Sequence, residues 1–195
     1  PFLTEEVYSY EYRQFNARPA MNLDGAQILY TVAADNSSRV PYDTPADYTG
    51  TEWKLILSDG TTAFKDGTSL ADNRQFDVDG GTLTVNHPAF GGSYDAVTAT
   101  LLDPKGNIVC YGTINEDPNA TTSTVTIPGN LSDGVYTLRI SAEQWNGEKV
   151  TDLATVPFEA EVKVANAHVH KLCWEKNCTD GCEDKIWRAV TTLDE

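Results

Sequence analysis

The chain has 195 residues, and its 14 Lys+Arg against 29 Asp+Glu give a net charge of −15 and a pI near 4.4. A field of that sign repels phosphate, so nucleic acid and anionic membrane surfaces are not expected partners. The 40% hydrophobic content, with 14 Gly and 9 Pro, fits one large turn-rich domain or one domain with extensions. No apolar run approaches the roughly 20 residues that cross a bilayer, so no membrane insertion is expected within this chain. The sequence begins at Pro1 without an initiator Met or signal peptide, and reads as a mature chain or an excised piece of a longer one.

In chain order, Glu6–Phe15 places Tyr8, Tyr10 and Tyr12 on one face at period two. That pattern suits a strand packing its tyrosines across a neighbour, and also an aromatic platform for sugar rings. Such a strand could also add to the open sheet edge of an identical subunit. Ala26–Val32 reads as a second strand, and residues 33–51, polar with Pro and Gly, as a long loop. Regular strand signals then follow at 53–57, 82–86, 96–102, 108–114, 122–127, 135–142 and 156–164. Phe76 and Val78 lead into the Asp79-Gly80-Gly81 turn, and Asp103-Pro-Lys-Gly-Asn107 makes a hairpin loop. The last strand alternates cleanly: Val156, Phe158, Ala160, Val162 and Val164 face in, while Glu159, Glu161 and Lys163 face out. No segment before residue 165 shows a helical period.

The stretch Leu131–Ala142 carries most weight for the fold. Asp133-Gly134 is turn chemistry, with the glycine expected at positive φ. From Tyr136 the chain alternates, with Tyr136, Leu138 and Ile140 on one side and Thr137, Arg139 and Ser141 on the other. A tyrosine at the start of such a strand, two residues before a core residue, suits the corner of an immunoglobulin-type sandwich. Its hydroxyl would tie down the preceding link, and Leu138 would stand where a disulfide cysteine might. Seven short strands with turn signals every 8–12 residues or so predict an all-β, immunoglobulin-like β-sandwich over 50–164. Residues 1–49 would form an N-terminal β extension or part of a preceding sandwich.

Four pieces also carry a family resemblance: Asp79–Asn86, Lys105–Gly112, Ile127–Leu138 and Ser141–Ala154, the last reading SAEQWNGEKVTDLA. They resemble the Ig-like repeat modules of large adhesin-like cell-surface proteins of Gram-positive anaerobic bacteria. The resemblance covers roughly residues 50–164. It implies an extracellular, non-catalytic module that spaces or presents neighbouring domains, with those domains, identical subunits, or a host glycan or protein as partners.

After Val164 the composition changes. His168, His170, Cys173, Cys178 and Cys182 fall close together, a set that suits a structural zinc site of soft thiolates and imidazoles. A disulfide is the alternative in an oxidising compartment, with Cys110 as a partner for the odd cysteine, and reduced free thiols are a third. The HKLC…NCTDGC…KIWRAVTTL run is similar to short Cys/His segments that link modules in the same kind of surface protein. A short helix is expected over 182–193, where Ile186, Trp187 and Val190 share a face.

Other sites are weaker. Asp77-Val-Asp79-Gly80 lacks the spacing of a full oxygen-ligand loop, so calcium is not expected. His87, beside Pro88, reads as a turn residue without a nucleophile to activate. No nucleophile elbow, phosphate loop or HExxH helix occurs, so an enzyme is not expected. Asn36, Asn119, Asn130 and Asn177 head glycosylation sequons, which matter only in a glycosylating host. A carbohydrate-binding module is the alternative reading, with Tyr8, Tyr10, Tyr12, Trp145 and Trp174 as candidate stacking surfaces.

Overall fold

The computed structural model describes residues 27–34, 40–71, 74–77, 79–147 and 151–165. Within them the chain runs β1 (Ile28–Ala33), β2 (Trp53–Ser58), α1 (Ala63–Asp66), β3 (Ser69–Leu70), β4 (Gln75–Phe76), β5 (Gly81–Asn86), β6 (Ala96–Leu102), β7 (Ile108–Asn115), β8 (Thr122–Ile127), β9 (Gly134–Gln144), β10 (Thr151–Ala154) and β11 (Phe158–Val164). Strands form where side chains alternate: β8 is exposed at Thr122, Thr124 and Thr126 and buried at Ser123, Val125 and Ile127. The result is all-β, with two sheets packed as a sandwich.

The smaller sheet has the order β3-β5-β8. In the larger one β9 is central, antiparallel to β11 along one edge and to β6 along the other. β6 passes on to β7, and β11 to β4. The two sheets meet through Leu83 and Val85 of β5 and Val125 and Ile127 of β8, which face Val97, Ala99 and Leu101 of β6, Leu138 and Ile140 of β9, and Val162 of β11. Each of the Val, Leu and Ile side chains among them, fully buried, contributes roughly 1.5–3 kcal/mol through the hydrophobic effect.

The corner before β9 is built as its sequence implies. The Tyr136 hydroxyl donates to the Ser132 carbonyl at 3.0 Å, and Leu138 is fully buried. The backbone differs in one detail. The left-handed residue of this link is Asn130, at φ 60°, whereas Gly134 already pairs with Val164 in the ladder. A Cβ on Gly134 would stand 2.8 Å from the Pro104 ring, so the glycine serves close packing and not turn geometry.

Three further expectations are corrected. Residues 63–66 form one helical turn, which plugs the sandwich with Phe64. The segment after Gly147 contains a separate short strand, β10, before β11 begins at Phe158. His87 is a buried core residue, 3% exposed. Its Nδ1 lies 2.9 Å from the Pro88 carbonyl, which can only accept, so Nδ1 donates there, and its Nε2 lies 2.7 Å from the Ser123 hydroxyl. Sequence hid this partner because β5–β8 pairing brings it from 36 residues away.

Beyond the sandwich, the larger sheet has a second part that sets up the site. β9 outruns β11, and its last residues pair with β10, Leu153 with Gln144 and Ala154 with Glu143. β10 runs parallel to β2, and β2 is antiparallel to β1. The strip β7-β6-β9-β10-β2-β1 coils until its ends meet. The Tyr30 ring of β1 lies 5.0 Å from the Tyr111 ring of β7, centroid to centroid. Pro41 and Asp43 add bridges to Thr113 and Tyr111 on the free edge of β7. Gly112 makes that approach possible: its φ is +144°, and a Cβ there would lie 2.5 Å from the Pro41 carbonyl oxygen. Residues 27–34 and 40–49, within the expected N-terminal extension, therefore include a strand of the same sheet.

Candidate functional site: a buried lysine–carboxylate cluster

Coiling gives the outer face of β6 and β9 a second interior. Along β9, Thr137 and Arg139 remain partly exposed, but Ser141 and Glu143 on that same face are buried. Ser141 was expected to face outward with Arg139; it is 5% exposed because the strip closes over this end of the strand. β6 likewise buries Thr98 and Thr100 on this side while burying Val97, Ala99 and Leu101 on the other.

Three charged side chains share this interior. The registers place them on one face of adjoining strands: Glu143 pairs with Ala154, two residues from Asp152, and Asp152 pairs with Ile56, two residues from Lys54. Lys54 is 2% exposed, and Asp152 and Glu143 are 0% exposed. Lys54 Nζ lies 3.2 Å from Asp152 Oδ2 and 3.4 Å from Oδ1, and donates to the Gly147 carbonyl at 2.9 Å. The Asn146 backbone N–H donates to Asp152 Oδ1 at 2.7 Å, and the Asn146 side chain donates to the Thr151 carbonyl at 2.8 Å. The turn before β10 is thus fastened around the aspartate.

Glu143 occupies the other side. The Tyr30 hydroxyl donates to its Oε2 at 2.9 Å, while Oε1 makes no well-formed hydrogen bond among the described residues. Burial raises the Glu143 pKa to about 7; the Tyr30 hydrogen bond opposes the rise, the Asp152 charge adds to it, and Thr98 and Lys54 oppose it. Burial, and then the glutamate charge, hold the Tyr30 phenol well above its ordinary range. Burial and the same charge raise Tyr111. A carboxyl poised near neutrality, in the field of a lysine and a second carboxyl, lies in the range in which a group can both take up and give up a proton.

Sequence reading missed this cluster. The only trace is a lone charge inside an apolar segment, Lys54 ahead of Leu55-Ile-Leu57 and Glu143 after Ile140-Ser-Ala142. In a chain with 29 acidic residues, neither stands out from the solvated background. Of the residues singled out from sequence, Tyr136 is at its corner. Trp145 is half-buried, with its indole nitrogen inside the protein and its backbone N–H donating to Asp95 Oδ2 at 2.8 Å. Tyr8, Tyr10, Tyr12, Trp174 and the tail residues His168, His170, Cys173, Cys178 and Cys182 lie outside the described residues. Cys110 is buried in β7, and burial raises its thiol pKa. Among the described residues, no group of three or more His, Cys, Asp and Glu is arranged to hold a metal ion.

No family model matches the sequence, and no curated protein matches it. Among solved structures, the crystal structure of CopC from Methylosinus trichosporium OB3b is similar, with 16% identity over 53% of this chain and 99% of that one and a TM-score of 0.36. A likeness of that size adds nothing to the strand pairing already described.

Proposed function

We propose that this chain is a non-catalytic structural or adhesive module of an extracellular bacterial surface protein, spacing or presenting the domains beside it. One observation carries the reading: among the described residues, the charged cluster of Lys54, Asp152 and Glu143 faces inward, where it fastens the early strand β2 to the late strands β9 and β10. A group placed to lock strands together serves a scaffold, whereas a group placed to meet a substrate lines an open cleft. The acidic chain and the paired ladders of β6, β9 and β11 agree with a rigid, self-repelling spacer. Among the described residues no helix is long and apolar enough to cross a membrane.

Stretching the chain between its ends in a force spectrometer tests this reading. The chain is expected to hold without losing strands at low force; piecemeal loss of strands there counts against a load-bearing module. Turnover in a substrate screen, or saturable binding in a glycan screen, would replace it with an enzyme or a carbohydrate-binding module. We assign the tail residues His168, His170, Cys173, Cys178 and Cys182 to a structural zinc staple at the module boundary. Metal analysis with thiol titration checks this: stoichiometric zinc supports it, and two thiols lost to oxidation without metal reject it.

A further inference from the structure

The two oxygens of Asp152 are not equivalent. Oδ1 accepts the Asn146 N–H at 2.7 Å. Oδ2 is buried, accepts no well-formed hydrogen bond among the described residues, and has Lys54 Nζ at 3.2 Å. Nζ is almost equally far from Oδ1, at 3.4 Å, so the amine addresses the carboxyl group as a whole. An amine held against both oxygens of a carboxyl is also held beside Cγ, the carbon it would bond to, and neighbours fixed in this way react as parts of one molecule. As an ion pair the two groups are costly, because each charge has lost its water. Joining them as a neutral amide removes both charges from the interior.

We infer that Lys54 and Asp152 condense into an intramolecular amide, Nζ to Cγ, which cross-links β2 to β10, and that Glu143 carries the proton for this reaction. The ammonium of Lys54 first passes one proton to Oδ2, leaving a neutral amine beside a neutral acid. The nitrogen lone pair attacks Cγ and forms the N–C bond, while the Asn146 N–H steadies the charge that gathers on Oδ1. Glu143 takes the proton that Nζ sheds and returns it to the Oδ2 hydroxyl. The Cγ–Oδ2 bond breaks, and Oδ2 leaves as water. One ammonium and one carboxylate become one amide and one water, with no oxidant, reductant or cofactor.

The surroundings fit both the reaction and its product. The departing oxygen is the one without a well-formed hydrogen bond, and the retained one keeps its Asn146 donor. The new amide N–H keeps the Gly147 carbonyl that Nζ already reaches at 2.9 Å. Tyr30 holds Oε2 of Glu143, while Oε1 has no well-formed hydrogen bond among the described residues. Burial sets Glu143 near neutrality, where it can both accept and release a proton.

Mass spectrometry of the purified, reduced and denatured chain decides the matter. The linked protein weighs about 18 Da less than its sequence, the mass of one water. After trypsin, residues 40–65, uncut at Lys54, appear joined to residues 150–163. Finding these two segments separate, with Lys54 cleaved, in natively folded protein overturns the inference, and needs no variant to fold. In Lys54→Met the joined peptide disappears and the full mass returns. Glu143→Gln is expected to leave the pair unlinked; a link that forms as fast without the carboxylate overturns the part given to Glu143. The inference stands apart from the module proposal, since an unlinked pair leaves that proposal intact and a linked pair does not depend on it.

Discussion

Between the two sheets, β5 and β8 meet β6, β9 and β11 through Leu83, Val125, Leu101, Leu138 and Val162. Inside the coil, β2, β9 and β10 meet through Lys54, Glu143 and Asp152. Both interiors are buried, and β9 contributes to both from its opposite faces. They differ in what holds them. The apolar interior is held by area, which is non-directional and shared among many side chains. The charged interior is held by specific partners, so the loss of one member leaves another buried and uncompensated. The first can lose a methyl group and relax; the second has little tolerance of that kind.

That difference can be broken at its strongest point first. Lys54→Met strands the Asp152 carboxylate and is expected to cost about 3–5 kcal/mol in urea unfolding. If the amide forms, loss of a cross-link closing about 100 residues adds about 4–5 kcal/mol on the loop-entropy model. Adding Asp152→Leu to Lys54→Met should recover the part due to the stranded charge, and recovery of nothing would show that the charge is not what is lost. Leu138→Ala in the apolar interior should cost about 2–5 kcal/mol, nearly independent of pH.

The two interiors should also part in their response to pH. The folded-state pKa of Glu143 is raised from 4.5 to about 7, so between these values the folded chain holds a proton that the unfolded chain releases. Stability from this group is therefore full below about pH 4.5 and falls as pH rises toward 7, by on the order of 3 kcal/mol. Glu143→Gln should flatten that slope, and an unchanged slope in denaturation curves taken from pH 4.5 to 7.5 would place the titration elsewhere. The smallest effect belongs to the corner. Tyr136→Phe removes the hydrogen bond to Ser132 and should cost about 0.5–1.5 kcal/mol by the same unfolding measurement.

The contrast also separates what could be read in the sequence from what could not. The seven main strands were legible because period-two alternation reports directly on a half-buried surface, and Tyr136 because its corner is local. β10 was not legible: four residues, Thr151-Asp-Leu-Ala154, carry too little pattern, and the strand exists because β9 and β2 flank it. The burial of Ser141 and Glu143 was hidden for a related reason. Alternation placed Ser141 on the face of Arg139, and Glu143, beyond the expected end of the strand, continues that period, but only the coiling of the strip decides that this face is covered. Gly134 was legible as special and misread in role, since positive φ and absence of a Cβ are two uses of the same residue.

Lys54 and Asp152 lie 98 residues apart in sequence. Joined by an amide, they turn the segment between them into a closed ring with two tails. The exposed hairpin at Lys105 lies within that ring. A protease that cuts there once would open the ring without releasing a fragment, and the chain would still migrate as one covalent piece on a denaturing gel. Separation of two fragments would need a second cut, so such a module could be nicked at an exposed loop and remain continuous from one end to the other.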